Sequence, residues 1–314
     1  MAKSKVYFTK SITSKSLVRI YDALGIELPG KVGIKISTGE AGNNNYLKPE
    51  LIRDLVEKVS GTIIECNVAY EGGRDQTARH LETAREHGFL DIAEVDIMDA
   101  EGEIEIPVTD PKWLPVDIVG EHINNYDSFI NLAHFKGHEM AGFGGVIKNQ
   151  SIGFASASGK AYIHSLGATR SPKEMMAGIM ADVEGSLSAK QDGFLEAMAE
   201  TAKSVSDYIK SKFSDSQVRM VYIDVLNNLS VDCDCSATPE APCMSDIGIM
   251  ASLDPVALDQ AALDMVKASA DAGREHFLER VISQNGEHIL EYAAQIGLGN
   301  RDYEIINLDK QKGI

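Results

Sequence analysis

The chain has little of several things. It holds 4 cysteines in 314 residues and 1 tryptophan, and aromatic residues make up only 6% of it. So few cysteines in a chain this long do not form a disulfide scaffold. No run of about 18 apolar residues occurs, so no helix is expected to cross a bilayer. Cations are also scarce: 30 Lys and Arg stand against 47 Asp and Glu, a formal charge of −17. An acidic surface of this kind repels phosphate backbones and anionic lipid, so neither nucleic acid nor a membrane is an expected partner. Met1 to Phe8 lacks the apolar stretch of a secretory leader, and the expectation is a cytoplasmic protein.

Apolar residues make up 44% of the chain, enough for a sizeable core. Strand-like and helix-like segments alternate. Val6-Tyr7-Phe8, Val32 to Ile36 and Thr62 to Cys66 read as strands, each followed by an amphipathic helical pattern. Ser171-Pro172-Lys173-Glu174 is a strong helix start, and Met175, Met176, Ile179, Met180, Val183 and Leu187 give that helix its apolar face. A second long helix is expected from about Asp192 to Phe213, and Met220 to Val225 and Ile247 to Ser252 read as strands. The fold class expected is α/β, a mostly parallel sheet with crossover helices in two lobes around a cleft. The expected division is an N-terminal lobe over 1–120 and a C-terminal lobe over 121–314, with one intertwined domain as the alternative.

Chemistry is expected at the carboxyl ends of strands. Two loops follow strands there: Thr38 to Asn45, and Asn67 to Gly73 with Arg74 beyond. Neither is GxGxxG nor a P-loop, but both offer backbone N–H groups and small polar side chains to an anion. Thr38, Asn67 and Arg74 are therefore candidate binding residues, with ordinary turn chemistry as the competing reading. The densest stretch runs from His134 through His138, Gly142-Phe143-Gly144-Gly145 and Lys148 to His164. Gly142, Gly144 and Gly145 imply close backbone approach to a ligand, or positive φ. A partly desolvated Lys148 would serve as nucleophile, base or anion partner. The alternative is a tight glycine loop with a solvated lysine. In Cys233-Asp234-Cys235 an extended backbone points both thiols the same way. A cation would relieve the charge of two thiolates flanked by carboxylates, and Cys243 adds a third sulfur nearby. Small buried hydrophobes are the alternative for all three.

Asn67 to Arg74, His138 with its glycines and Lys148-Asn149, Cys233-Asp234-Cys235, and Asp246 to Gln260 together resemble the DUF362 family, whose members are often called uncharacterised iron–sulfur centre proteins. Many members carry a ferredoxin-like insert. This chain instead passes from Lys160 and His164 straight to Ser171. A cluster here would therefore use Cys233, Cys235 and Cys243. Locally, His138, Gly142, Gly145, Lys148 and His164 are similar in type and spacing to nickel-pincer lactate racemases. That resemblance implies a cofactor or metal pocket. The combined expectation is a metal-dependent enzyme acting on a small anionic molecule by proton transfer or redox chemistry. Lys148, His138 and His134 would be catalytic, and Cys233, Cys235, His164 and Cys243 would hold a metal ion or iron–sulfur cluster. A non-enzymatic iron–sulfur protein, and a small-molecule binding protein with structural cysteines, are the alternatives.

Overall fold

The computed structural model describes residues 3–181 and 187–310. The chain opens with β1 (Ser4–Thr9), α1 (Ser14–Ala23) and β2 (Val32–Lys35). The Thr13 hydroxyl accepts from the Ser16 N–H and caps α1, which buries Leu17, Ile20 and Tyr21 on one face. α2 (Pro49–Val59) begins on a proline, whose missing N–H is not needed in a first turn. It leads into β3 (Thr62–Glu65), α3 (Thr77–Glu86) and the short β4 (Val95–Ile97). A side hairpin, β5 (Glu103–Pro107) and β6 (Val116–Gly120), precedes the central strand β7 (Ser128–His134).

The glycine-rich stretch then makes a small hairpin, β8 (Lys136–His138) with β9 (Gly142–Gly144), and runs on into α4 (Val146–Phe154) and α5 (Ala157–His164). α4 is not expected from periodicity. It is buried nearly all round, so tertiary packing and not an amphipathic stripe makes it a helix. Next come α6 (Pro172–Ala181), α7 (Leu187–Ser211), β10 (Met220–Leu226), β11 (Gly248–Ser252) and α8 (Pro255–Ala268). Val183 of the expected α6 face lies outside the described residues. The chain closes with α9 (Arg274–Ser283), α10 (His288–Gln295) and β12 (Tyr303–Asn307).

The fold is α/β as expected. Eight strands form one sheet in the order β12-β1-β11-β10-β7-β2-β3-β4. Neighbours are parallel except where β11 pairs with β1 and β10. The sheet takes strands from both the 1–120 and the 121–314 stretches. Residues of β7 alternate between its faces: Ile130 and Leu132 pack with α1 and α2, Phe129 and Ala133 with α4 and α7. The chain leaves β2 towards β3 on one side and leaves β7 towards β10 on the other. The β2–β7 junction is therefore the switch point where an open α/β sheet leaves a crevice at its carboxyl edge. Among the described residues no helix is long and apolar enough to cross a membrane.

One carboxylate ties three distant segments together. Asp254 caps α8 by accepting from Val256 and Ala257 N–H, and also accepts from the Ser4 hydroxyl at 2.7 Å and the Asn300 N–H at 2.9 Å. Asp254→Ala should cost about 2 kcal/mol or more, because it removes a cap and leaves further donors unpaired. Urea denaturation should show this as a lowered midpoint at unchanged slope.

Candidate functional site

A cavity of about 420 Å³ lies at this carboxyl edge. Its wall includes Lys35 from the end of β2 and Glu65 from the end of β3. Lys148 and Asn149 come from α4, Lys160 and His164 from α5, and His138 from β8. Cys233 and Cys235 enter from the loop after β10, and α6 contributes Met175, Met176 and Ile179. Asn149 fixes α4 to the switch point, donating to the Lys35 carbonyl at 3.0 Å and to Asn131 Oδ1 at 2.7 Å.

His138, Cys233 and Cys235 each bring one donor atom to within 4.8 Å of the others. His138 Nδ1 accepts the N–H groups of Met140 and Ala141 at 3.1 and 3.0 Å, so Nε2 is the nitrogen turned to the sulfurs. Burial and the Lys148 charge hold this imidazole neutral. Cys233 Sγ receives the Cys235 N–H and the Lys148 ammonium, each at 3.4 Å. A hydrogen bond from the Cys235 thiol, the charges of Lys148 and Lys136, and a hydrogen bond from His138 together overcome desolvation and hold Cys233 well below the usual thiol range. Cys235, donating to that thiolate, is pushed well above it. Burial works to lower Lys148, but the Cys233 thiolate and the hydrogen bond to it outweigh that and keep the lysine an ammonium. His164 stacks on Phe194 with ring centroids 4.7 Å apart, and its buried Nδ1 has no hydrogen-bond partner. Burial, with His138, Lys148 and Lys160 nearby, pushes its pKa down to about 3, leaving the ring neutral.

Asp234, between the two cysteines, points away from the cavity. Its carboxylate meets His134 Nδ1 at 2.9 Å and Lys136 Nζ at 2.8 Å. His134 Nε2 faces the Asn227 carbonyl at 2.6 Å, so both of its ring nitrogens are engaged inside the wall. The four-residue spacing of His134 and His138 therefore does not place them together: one holds the cysteine loop, the other faces the cavity.

The remaining candidates divide in the same way. Arg74 lines the cavity between Glu40 (3.3 Å) and Glu65 (3.5 Å). Thr38 is fully buried and gives both its N–H and its hydroxyl to Glu65. Asn67 N–H goes to Asp99, its Nδ2 to Thr77, and its Oδ1 faces His80. A Cβ on Gly142 would meet Val281 and Gly286, and one on Gly145 would meet Asp259, so these glycines permit close approach of chain to chain. Gly144 packs on the Lys148 side chain. Cys243 Sγ faces the Leu229 carbonyl at 3.3 Å and is not part of the His138–Cys233–Cys235 group.

Several residues of the site carry no motif. Lys35, Glu65 and Asp224 are charges in otherwise apolar central strands, and that anomaly was the available signal. Lys35 Nζ reaches the Ile36 carbonyl, Asn149 Oδ1 and Glu65, while Glu65 also takes Thr38 and Arg74. Asp259 of α8 accepts Val146 and Ile147 N–H at 2.8 and 3.0 Å, which sets the first turn of α4 and so the position of Lys148. Asp224 of β10 faces Asp259.

The profile of a family described as a domain of unknown function, DUF362, matches residues 32–264. No curated protein matches the sequence. Among solved structures, the lactate racemase apoprotein from Thermoanaerobacterium thermosaccharolyticum aligns at a TM-score of 0.38 and 11% identity, covering 71% of this chain and 50% of that one. The chain thus spans half the length of that racemase.

The Asp224–Asp259 pair makes stability depend on pH. Burial raises Asp259 to about 6 and, with the Asp259 charge, raises Asp224 well above the carboxylate range. Because both folded-state values lie above the unfolded ones, the contribution is full below about pH 4 and is lost as pH rises through and beyond the raised values. Asp224→Asn keeps a donor for Asp259 and cannot ionise. Melting curves should show the wild type losing stability from pH 5 to 8 relative to the variant, which should melt a few degrees higher at the upper end.

Proposed function

The chain belongs to the DUF362 family, and on that premise we propose that it is a metal-dependent enzyme acting on a small anionic molecule by proton transfer or redox chemistry. The observation that carries this reading is the convergence of His138, Cys233 and Cys235, from segments far apart in the chain, at the wall of one cavity. Two sulfurs and an imidazole suit Zn²⁺, Fe²⁺ or Ni²⁺. Cys233 already has thiolate character, and His138, whose Nδ1 accepts two backbone N–H groups, carries its proton on Nε2 and would release it on binding a metal there. His164 lines the same cavity with a buried Nδ1 lacking any hydrogen-bond partner, but it is not one of the His138–Cys233–Cys235 group, so as a fourth donor it would have to move towards them. A bound metal would supply Lewis acidity or a redox couple.

The protein's own groups have distinct tasks in this scheme. Lys148 balances the thiolate and offers its ammonium to an anion in the cavity. His138 is the imidazole placed to hold or pass a proton when it is not ligating. His134 acts through Asp234, which holds the cysteine loop in place, and Arg74 adds positive potential to the opposite wall. An iron–sulfur cluster finds two thiols here. Cys66 also lines the cavity but turns its thiol to the Phe154 carbonyl, and Cys243 faces that of Leu229; neither belongs to the His138–Cys233–Cys235 group. A reducing cytoplasm is the setting in which such a thiol–thiolate pair persists.

Protein purified without a histidine tag should contain near-stoichiometric Zn, Fe or Ni by elemental analysis. Cys233→Ser and Cys235→Ser should each lower metal affinity by about tenfold or more while circular dichroism stays unchanged. Metal-free wild-type protein that takes up none of these ions on addition would defeat the proposal.

A further inference from the structure

Charge balance around the cavity leaves one cation without a counter-charge. Lys35 is 1% exposed and has Glu65 at 3.4 Å. Arg74 lies between Glu40 and Glu65, Lys136 has Asp234 at 2.8 Å, and Lys148 has the Cys233 sulfur at 3.4 Å. Lys160 is different. It lines the cavity, is 7% exposed, and its Nζ makes one hydrogen bond, to the Ala155 carbonyl at 2.6 Å. Among the described residues no carboxylate stands within ion-pair distance of it. The acids whose fields reach it are otherwise engaged: burial keeps Cys66 a thiol, which faces the Phe154 carbonyl. Asp99 accepts from Asn67 and Ala157 N–H, and Glu65 takes Thr38, Lys35 and Arg74. Asp117 is itself buried and kept protonated, its pKa pushed up to about 8 by desolvation.

Burial lowers the Lys160 pKa, because an ammonium with donors to spare and no anion beside it is costly there, and a bound anion would restore its charge; every other buried cation on this wall is given a partner by the chain itself. We propose that Lys160 anchors the carboxylate of the substrate, and that the substrate is a monocarboxylate with an apolar body. One unengaged ammonium matches one carboxylate better than a phosphate dianion, which needs several donors. The apolar body follows from the rest of the lining, where Val68, Ala69, Ile152, Met175, Met176 and Ile179 predominate. A two-carbon acid would leave most of the roughly 420 Å³ unfilled. The inference rests on the functional reading above for its cavity, and uses none of the metal donors.

The test compares binding of acetate, octanoate and octanamide to the full chain by calorimetry, in wild type, Lys160→Met and Lys160→Gln. Gln retains a donor for the Ala155 carbonyl without charge. Wild type should bind octanoate about tenfold or more tighter than octanamide, and acetate more weakly than octanoate. Both variants should lose the preference for octanoate over octanamide while keeping wild-type circular dichroism and metal content. Equal binding of octanoate and octanamide by wild type overturns the proposal, as does undiminished octanoate binding by the variants. Loss of fold in both variants overturns it too, because Lys160 would then be a structural cation. In a Cys233→Ser background the carboxylate preference should persist, so failure of the metal site and failure of this anchor give different results.

Discussion

The cysteine pair depends on a carboxylate that never faces the cavity. Asp234 is 1% exposed, and a bare carboxylate at that depth would be untenable without partners. His134 and Lys136 close on it from the end of β7 and the start of β8. Around it the loop is held by its backbone: Glu40 N–H donates to the Asp234 carbonyl, and Asn43 Nδ2 reaches the carbonyls of Cys233 and Ser236. With the middle residue locked inwards, the residues on either side present their sulfurs outwards. The spacing that allows two thiols to share a centre is therefore enforced by the buried Lys136–Asp234 ion pair and the His134–Asp234 contact, each joining residues about one hundred positions apart in sequence.

A second set of buried charges makes the opposite wall rigid. Glu65 accepts from Thr38 and lies beside Lys35 and Arg74, while Glu40 accepts from Gly73 N–H, Arg74 and the Tyr70 hydroxyl. Removing one member would leave the others unpaired in a low dielectric, so the group stands or falls together. The loops after β2 and β3 are consequently stitched to each other and to the cysteine loop. Their polar atoms serve the wall, and the cavity is left with side chains that reach past it.

Much of the architecture was legible because it rests on local signals. Pro49, Ser171-Pro172 and Asp254-Pro255 mark helix starts, and apolar runs bounded by turns mark the inner strands. The proximity of His138, Cys233, Cys235, Lys148 and His164 was legible as chemistry seeking company, since each residue type is costly to bury alone. The role of His134 was not, because its partner Asp234 is brought to it by the β7–β10 pairing and no local pattern encodes that. The glycines were read for what they permit, yet a sequence does not say what comes close: at Gly137 it is the Val231 backbone, at Gly145 it is Asp259. That Lys160 has no carboxylate beside it among the described residues is invisible for the same reason. A missing partner can be recognised only once every neighbour is in place.

The reversed strand β11 has a consequence for how the chain comes off the ribosome. β1 is made before the strands it pairs with, Ile249 to Ser252 on one side and Tyr303 to Asn307 on the other. Until residues 249–252 and 303–307 have been made, the backbone of β1 lacks both of its sheet partners. Pairing at so great a contour distance closes the largest loop in the molecule, and it can only come late. Loss of Tyr303–Asn307 would therefore leave one edge of β1 unpaired as well as removing β12 itself.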